Sequence, residues 1–205
     1  MFSCTHELCI RAVRLKAHEH MINAIIDLGS NTFNLLVFER IDGAIRVLHS
    51  EEVPVFLGRG GIEQGIIAPD AFQRGMDALQ RYKATTAAHG AQRIEGFGTS
   101  ALRSARNGCD FVQAAWERLA IRITIVPGGE EAGLILDGVR QAVRLTTKPA
   151  LVMDIGGGSI EFILATDKAL MWKQSVELGV TRLRERITTS DPITIGEEAR
   201  IAAHL

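Results

Sequence analysis

Two stretches of the chain decide its fold: residues 25–32, with the sequence IIDLGSNT, and residues 152–159, with the sequence VMDIGGGS. They align without a gap at a constant offset of 127 residues, and each follows one apolar strand and precedes another. The aligned pairs are Asp27/Asp154, Gly29/Gly156 and Thr32/Ser159. A repeat of this length predicts two similar domains rather than a solenoid, whose repeats are about 20–50 residues long.

Around these stretches the chain alternates strands and helices, in the order βββαβαβα over residues 21–148. Strands that alternate with helices predict an α/β fold with a partly parallel sheet. The second unit, residues 149–205, offers three strands and two helices in 57 residues, whereas residues 22–148 number 127. We therefore expect a partial second domain with an incomplete sheet, and an N-terminal extension at residues 1–20.

The composition is that of an ordinary globular protein, with 46% hydrophobic and 23% charged residues among 205. This excludes a disordered chain, and no apolar run reaches the roughly 20 residues that cross a bilayer. The net charge of −1 argues against a nucleic-acid coat or a polybasic membrane anchor. Three cysteines, an odd and sparse set, favour a reducing compartment, so we expect a cytoplasmic protein.

Residues 1–20 hold two cysteines and three histidines, a composition that raises the question of a zinc site. The spacing of Cys4 and Cys9 differs from that of a zinc knuckle, and no second cysteine pair follows. Charged residues interrupt the segment, which makes it a poor signal peptide. Because Met21 stands directly before the first strand, a start site assigned too early is the simplest interpretation of the extension.

Both D-x-G-x-x-[ST] turns have the composition of phosphate-binding loops. Glycine keeps the backbone accessible to a phosphate, successive N–H groups can point at one oxygen, and the hydroxyl adds a donor. The alternative is a β-hairpin turn in which glycine only supplies a positive φ. Two such turns at equivalent positions favour phosphate binding. The candidate residues are Asp27, Gly29, Ser30, Asn31, Thr32, Gly156, Gly157, Gly158 and Ser159.

Three further residues carry chemistry that complements a phosphate. Arg103 lies one turn into a helix that opens near Ser100, and it either grips a phosphate with two donors or is simply exposed. Glu131 lies in the first turn of a helix between the two units, where it either complements the helix dipole or acts as a general base. Glu161 shares a strand face with Ser159, and the alternative is a solvated carboxylate.

These motifs, in this order, resemble the exopolyphosphatase/guanosine pentaphosphate phosphatase family of the actin, sugar-kinase and heat-shock-chaperone superfamily. The resemblance is carried by residues 24–32, 98–107, 129–132, 154–161 and 178–183. It implies an actin-like (ribonuclease H-like) domain followed by a second, truncated domain of the same type, with a cleft between them.

The same resemblance implies a role for each candidate residue. Glu131 matches the catalytic glutamate, Asp154 and Glu161 match the carboxylates of a Mg²⁺ site, and Arg103 matches the phosphate-gripping arginine. The two turns match the phosphate loops. The implied activity is hydrolysis of the terminal phosphoanhydride bond of inorganic polyphosphate or guanosine pentaphosphate. Family members continue roughly a hundred residues or more past the point where this chain stops, so we expect weak or no turnover from it.

Two other functions stay open from the sequence. One is an ATP-dependent kinase or ATPase of the same superfamily, which would need an adenosine-binding glycine pair in a later segment. The other is a non-catalytic fragment that binds phosphate. The balanced charge predicts neither nucleic-acid nor membrane partners. An unfinished sheet edge predicts that the chain associates with itself, as a homodimer or a larger oligomer.

Overall fold

The computed structural model describes residues 21–42, 44–188 and 190–205, so the interpretations of residues 1–20 lie outside the described part. Strands and helices alternate along the chain as the pattern predicts. In chain order they are β1 (Ile22–Leu28), β2 (Thr32–Ile41), β3 (Ala44–Pro54), α1 (Pro69–Ala88), β4 (Arg93–Gly98), α2 (Ser100–Ser104), α3 (Gly108–Leu119), β5 (Arg122–Ile125), α4 (Gly128–Ala142), β6 (Ala150–Ile155), β7 (Ile160–Ala165), β8 (Leu170–Val176), α5 (Val180–Ile187) and α6 (Ile195–His204). Among the described helices, none has the length and hydropathy that a membrane crossing requires.

In the described part of the chain, five strands form the first sheet, in the spatial order β3-β2-β1-β4-β5. β1, β2 and β3 are antiparallel neighbours, whereas β4 and β5 run parallel to β1. Parallel neighbours need crossover connections, which α1 supplies before β4 and the α2–α3 pair supplies before β5. β1 is central, and it is buried from Asn23 to Leu28, as expected of a strand covered on both faces. The predicted α/β fold with a partly parallel sheet is confirmed.

The largest core lies between the first sheet and the helices α1 to α3. Tyr82 on α1 is fully buried, and its hydroxyl donates to the Phe33 carbonyl at 2.7 Å, which satisfies the one polar atom of the side chain. Phe111 on α3 packs edge-on against Phe33 and Phe72, with ring centroids 6.4 and 5.0 Å apart. This packing anchors the start of β2, next to the turn that follows β1.

The second sheet consists of β6, β7 and β8, all antiparallel, and α4 covers one of its faces. Ala132, Ile135 and Leu136 of α4 pack there against Ile163 and Ala165 of β7. α4 follows the first sheet in the chain but packs in the core of the second. Its first turn therefore lies between the two sheets.

The outer face of the second sheet is exposed. Leu151, Met153 and Ile155 alternate along β6, and each is more than half accessible to solvent. Trp172 of β8 stands in the same cross-strand row as Leu151 and is 49% exposed. A contiguous apolar surface of this kind is typical of a face that meets a partner.

Candidate active site

The turns at the ends of β1 and β6 face each other across a single cleft of about 140 Å³. Every residue that the sequence analysis assigns to the two phosphate loops lines it, together with the three candidate carboxylates. The lining residues are Asp27, Gly29, Ser30, Asn31, Thr32, Asn34, Thr99, Ser100, Glu131, Asp154, Gly156, Gly157, Gly158, Ser159 and Glu161. Positions more than a hundred residues apart in the chain thus converge on one site.

The two turns have the same backbone hydrogen bond. The Gly29 N–H donates to the Thr32 carbonyl at 3.0 Å, and the Gly156 N–H donates to the Ser159 carbonyl at 3.0 Å. A Cβ on Gly29 would lie 2.8 Å from the Thr32 carbonyl oxygen, so a side chain at this position would distort the turn. The repeat seen in the sequence is therefore also a repeat of the backbone conformation.

The glycines of the second turn also allow the two turns to touch. A Cβ on Gly157 would lie 2.8 Å from the Asn31 side chain, and one on Gly158 would lie 2.5 Å from Ser30 Oγ. Ser30 Oγ in turn accepts a hydrogen bond from the Ala101 N–H at 3.1 Å. These glycines are needed for close contact between the two sheets, a reason that the local sequence does not reveal.

A polar residue stands opposite each aspartate on the neighbouring strand. The strand register pairs Asp154 with Glu161 and Asp27 with Asn34. Asn34 and Glu161 are separated by the same 127 residues as the two aspartates, so extending the repeat would have identified Asn34, which the sequence analysis missed. Glu161 is only 2% exposed and accepts a hydrogen bond from Ser175 Oγ at 2.6 Å, which excludes the solvated alternative.

Glu131 enters the cleft from the first turn of α4 and is buried. Burial raises its pKa to about 7, and the negative charges of Glu161 and Asp27 act in the same direction. Arg103 opposes the shift, because its Nη1 donates to Glu131 Oε2 at 2.8 Å. The same nitrogen donates to the Val126 carbonyl at 2.9 Å. Arg103 contacts the cleft through Glu131, and its grip on a phosphate stays a prediction.

Asp154 and Glu161 form the oxygen-rich side of the cleft. Burial raises the pKa of both carboxyl groups; the charge of Asp27 adds to the shift of Asp154, and hydrogen bonds from Ser175 and Ser159 oppose that of Glu161. Within the described ranges, no three His, Cys, Asp or Glu side chains form a complete metal cluster. Mg²⁺ usually takes one or two protein carboxylates and completes its shell with water and substrate oxygens. The donor set present here fits that pattern.

Thr99 and Ser100 also line the cleft, at the start of α2. From sequence they are only residues at a helix start. The strand register supplies the missing information, because parallel pairing of β1 with β4 places Gly98 beside Leu28. The residues that follow the two strands therefore reach the same end of the sheet.

Comparison with known proteins identifies the family. The Ppx/GppA phosphatase family matches the chain over residues 36–204. A guanosine-5'-triphosphate,3'-diphosphate pyrophosphatase of Photobacterium profundum is 33% identical over 163 residues, and one of Vibrio vulnificus is 37% identical over 141 residues. These alignments cover 80% and 69% of this chain, but only 33% and 28% of the relatives. The chain thus spans about a third of the length of these curated relatives.

Solved structures agree with the sequence relatives. An exopolyphosphatase from Cytophaga hutchinsonii superimposes with a TM-score of 0.85 and 34% identity, over 90% of this chain and 59% of that one. A Ppx/GppA family member from Aquifex aeolicus, 24% identical, has a TM-score of 0.65 over 88% of this chain and 58% of that one, and supports the fold. The resemblance drawn from the motifs is confirmed: the chain belongs to the Ppx/GppA phosphatase family.

Proposed function

We propose that this chain hydrolyses the terminal phosphoanhydride bond of inorganic polyphosphate or of guanosine pentaphosphate. The observation that carries the proposal is Glu131, a buried carboxyl group with a pKa of about 7 between two turns suited to phosphate. The relatives support this class of reaction, because one is named an exopolyphosphatase and others are pyrophosphatases of a guanosine nucleotide. The choice between the two substrates is left to the experiment below.

In this proposal Glu131 is the general base. A base is most effective when its pKa lies near the working pH, which a pKa of about 7 achieves for a carboxyl group. The hydrogen bond from Arg103 to Oε2 orients the carboxylate and leaves Oε1 for the attacking water. Glu131 then takes a proton from that water as the water oxygen attacks the terminal phosphorus. The bond from phosphorus to the bridging oxygen breaks, and that oxygen leaves with the shortened polyphosphate or nucleotide.

The two turns bind the terminal phosphate in this proposal. Their backbone N–H groups and the hydroxyls of Thr32 and Ser159 supply donors without adding negative charge. Arg103 supplies a positive charge behind Glu131, where it offsets the charge that develops on the transferred phosphoryl group. Phosphoryl transfer depends mainly on such positioning and charge stabilisation.

Asp154 and Glu161 are the residues that would hold Mg²⁺. When bound, the ion neutralises charge on the phosphate oxygens. The raised pKa values of the two carboxyl groups express first the free-energy cost of burying a negative charge, and then the repulsion from neighbouring carboxylates. A divalent cation would relieve that cost, which is why we place Mg²⁺ on this side.

Three further features belong to the proposal. The shared turn geometry supports the second sheet, within residues 149–205, as a partial second actin-like domain. The apolar outer face at Leu151 and Met153 supports a homodimer. The sparse cysteines support a cytoplasmic location, and the balanced charge supports a protein without nucleic-acid or membrane partners.

Phosphate release from polyphosphate, guanosine pentaphosphate and ATP, measured with Mg²⁺, tests the function. We expect slow but measurable release from one of the first two, and a fall of about 10² or more in Glu131→Gln. The matched control is Glu130→Gln, since Glu130 is the exposed neighbour in the same helical turn and should be dispensable. Release from ATP alone would favour the kinase or ATPase alternative. Binding of polyphosphate without turnover would favour the non-catalytic alternative.

A further inference from the structure

The first turn of α5 is hydrogen-bonded to the turn at residues 156–159 that follows β6, the glycine turn. The Val180 N–H donates to the Gly156 carbonyl at 3.0 Å, and the Thr181 N–H donates to the Gly157 carbonyl at 2.8 Å. Nε of Arg182 donates to the next carbonyl, that of Gly158, at 2.8 Å. Three consecutive carbonyls of the turn are therefore bound by three consecutive residues of one helix.

These three bonds decide where the amide groups of the turn point. In a trans peptide unit, the carbonyl of one residue and the N–H of the next point in opposite directions. With the carbonyls of residues 156–158 directed at α5, the N–H groups of residues 157–159 point away from it. The turn lines the cleft, whereas Arg182 is not among the lining residues. The side of the turn that faces away from α5 is therefore the side that faces the cleft. Consecutive N–H groups with one orientation form an anion-binding concavity.

Arg182 also connects this turn to the first unit, residues 22–148. It is only 6% exposed, although arginine is rarely buried without partners. Nη1 donates to the Ile62 carbonyl at 3.1 Å, and Nη2 donates to Ser104 Oγ at 2.8 Å. Ser104 follows Arg103 on α2, the helix whose arginine pairs with Glu131. One guanidinium group thus connects the phosphate turn to the helix that orients the general base.

We propose that Arg182 is a positioning residue of the cleft, which directs the Ser159 N–H toward the phosphate and keeps α2 in register with the turn. The inference rests on the proposed function, because the anion that these N–H groups would bind is the substrate's phosphate. Lysine cannot replace the arginine, since a single ammonium group cannot reach three acceptors in a fixed planar arrangement.

The rival interpretation is that Arg182 is a structural ion-pair centre, because it also pairs with Glu177 at 2.8 Å and with Glu63 at 3.6 Å. Arg186, one turn further along α5, provides the matched control. It pairs with the same Glu63 at 2.6 Å and is 44% exposed, and among the described residues its hydrogen bonds and ion pairs go to Glu63 and His204 rather than to the glycine turn. The same Arg→Lys substitution at Arg182 and at Arg186 therefore distinguishes a role in orienting the glycine turn from a role in ion pairing.

The experiment compares wild type, Arg182→Lys and Arg186→Lys in their affinity for inorganic tripolyphosphate with Mg²⁺, by calorimetry well below each melting temperature. We expect Arg182→Lys to weaken binding by about tenfold or more, the loss expected from misdirected hydrogen bonds to a charged ligand. Arg186→Lys should stay within about twofold, as is usual for an exposed ion pair. Equal losses in both variants, or unchanged affinity in Arg182→Lys, would overturn the proposal.

A second readout works without any ligand. In the free protein, Arg182→Lys should shift the amide resonances of Gly157, Gly158 and Ser159, whereas Arg186→Lys should leave them in place. Unchanged amide resonances in Arg182→Lys would overturn the positioning role even if tripolyphosphate does not bind. Failure of wild type to bind tripolyphosphate would instead count against the proposed function alone, so the two failures are distinguishable.

If Arg182→Lys does not fold, the wild-type protein still decides the matter. Adding tripolyphosphate should then move the resonances of the Gly157–Ser159 amides and slow their hydrogen exchange, because the proposal places these N–H groups on the phosphate. Ser104→Ala adds a milder variant, which removes the bond between Arg182 and α2 together with the hydrogen bond that Ser104 Oγ donates to the Ser100 carbonyl. It should weaken tripolyphosphate binding while leaving the free amide resonances unchanged. Amides that do not respond when calorimetry shows that tripolyphosphate is bound would overturn the proposal.

Discussion

The turn after β1 and the turn after β6 have the same backbone and different partners. Both close with a hydrogen bond of 3.0 Å from a glycine N–H, and both place an aspartate at the end of the preceding strand. Opposite that aspartate, the first sheet carries the neutral Asn34 and the second carries the acidic Glu161. The repeated backbone provides two turns that we propose bind phosphate, and one substituted position gives only the second turn a facing pair of carboxylates.

The two sheets also differ in how they are buried. The central strand of the first is inaccessible along most of its length, whereas β6 of the second alternates partly buried and exposed residues. Burial of apolar surface is the main stabilising contribution to folding. The comparison predicts that burial in the first sheet contributes most of the free energy of unfolding. The second sheet contributes the facing pair of carboxylates and an exposed apolar face suited to self-association.

Exchanging the residues opposite Asp27 and Asp154 reverses the difference between the two turns, and we expect it to have the largest effect on phosphate release. Glu161→Asn gives the second turn the polarity of the first, and we expect phosphate release to fall by about 10² or more with the loss of one of the two carboxylates proposed to hold Mg²⁺. Adding Asn34→Glu should not restore release, because the carboxylate pair then lies on the other turn. The measurement is phosphate release against Mg²⁺ concentration. Restored release in the exchanged variant would show that the carboxylate pair works on either turn, which would contradict different roles for the two turns.

Neutralising the Glu131 carboxylate should change the free energy of unfolding, which measures the cost of charge in the cleft between the two sheets. The pKa of Glu131 is raised from 4.5 to about 7, so the unfolded chain releases this proton at lower pH than the folded chain does. The free energy of unfolding therefore falls as pH rises from about 4.5 to 7. Glu131→Gln should abolish that fall and raise stability at pH 8 by about 2 kcal/mol, after an allowance for the lost Arg103 ion pair.

Urea unfolding with a chelator present, at pH 4 and at pH 8, measures this effect. The gain of Glu131→Gln over wild type should appear only at the higher pH. A gain of equal size at both values would show that packing, rather than ionisation, distinguishes glutamine from glutamate at this site.

Polar substitutions on the outer face of the second sheet should weaken self-association. We expect Leu151→Ser with Met153→Ser to raise the dimer dissociation constant by about tenfold, since each removes an exposed apolar side chain from the contact. Val47→Ser is the control on the first sheet, where a 46% exposed side chain should contribute nothing. Sedimentation analysis measures the constants, and a wild-type protein that stays monomeric at high concentration would contradict the proposed dimer.

The smallest effect should come from the glycines at the contact between the turns. Gly158→Ala introduces a Cβ 2.5 Å from Ser30 Oγ of the first turn, and we expect a loss of about 1 kcal/mol in the free energy of unfolding. Gly129→Ala, in the first turn of α4 with no atom within 4 Å of the added Cβ, should be neutral or stabilising by about 0.5 kcal/mol. Thermal unfolding of both variants is the measurement. Equal values would mean that the turns do not pack against each other in solution.

The sequence by itself determined the strands, the helices and the repeated turn. Alternation of apolar runs with turn residues is a local signal, so the partly parallel sheet and both D-x-G motifs were predictable. The family resemblance placed Glu131, Asp154 and Glu161 together, and the cleft contains all three. Asn34 was within reach of the same reasoning, because the repeat offset leads directly to it.

The tertiary structure alone decided how the cleft is held. Arg182 reaches Ile62 across 120 residues of chain, and Thr181 reaches Asn31 across 150. The pairing of Arg103 with Glu131, which contributes to the pKa of the carboxyl group, likewise joins separate elements. A local pattern reports how a residue sits within its own helix or strand. Distances between elements, and the burial that shifts a pKa, exist only after the sheets and helices have packed.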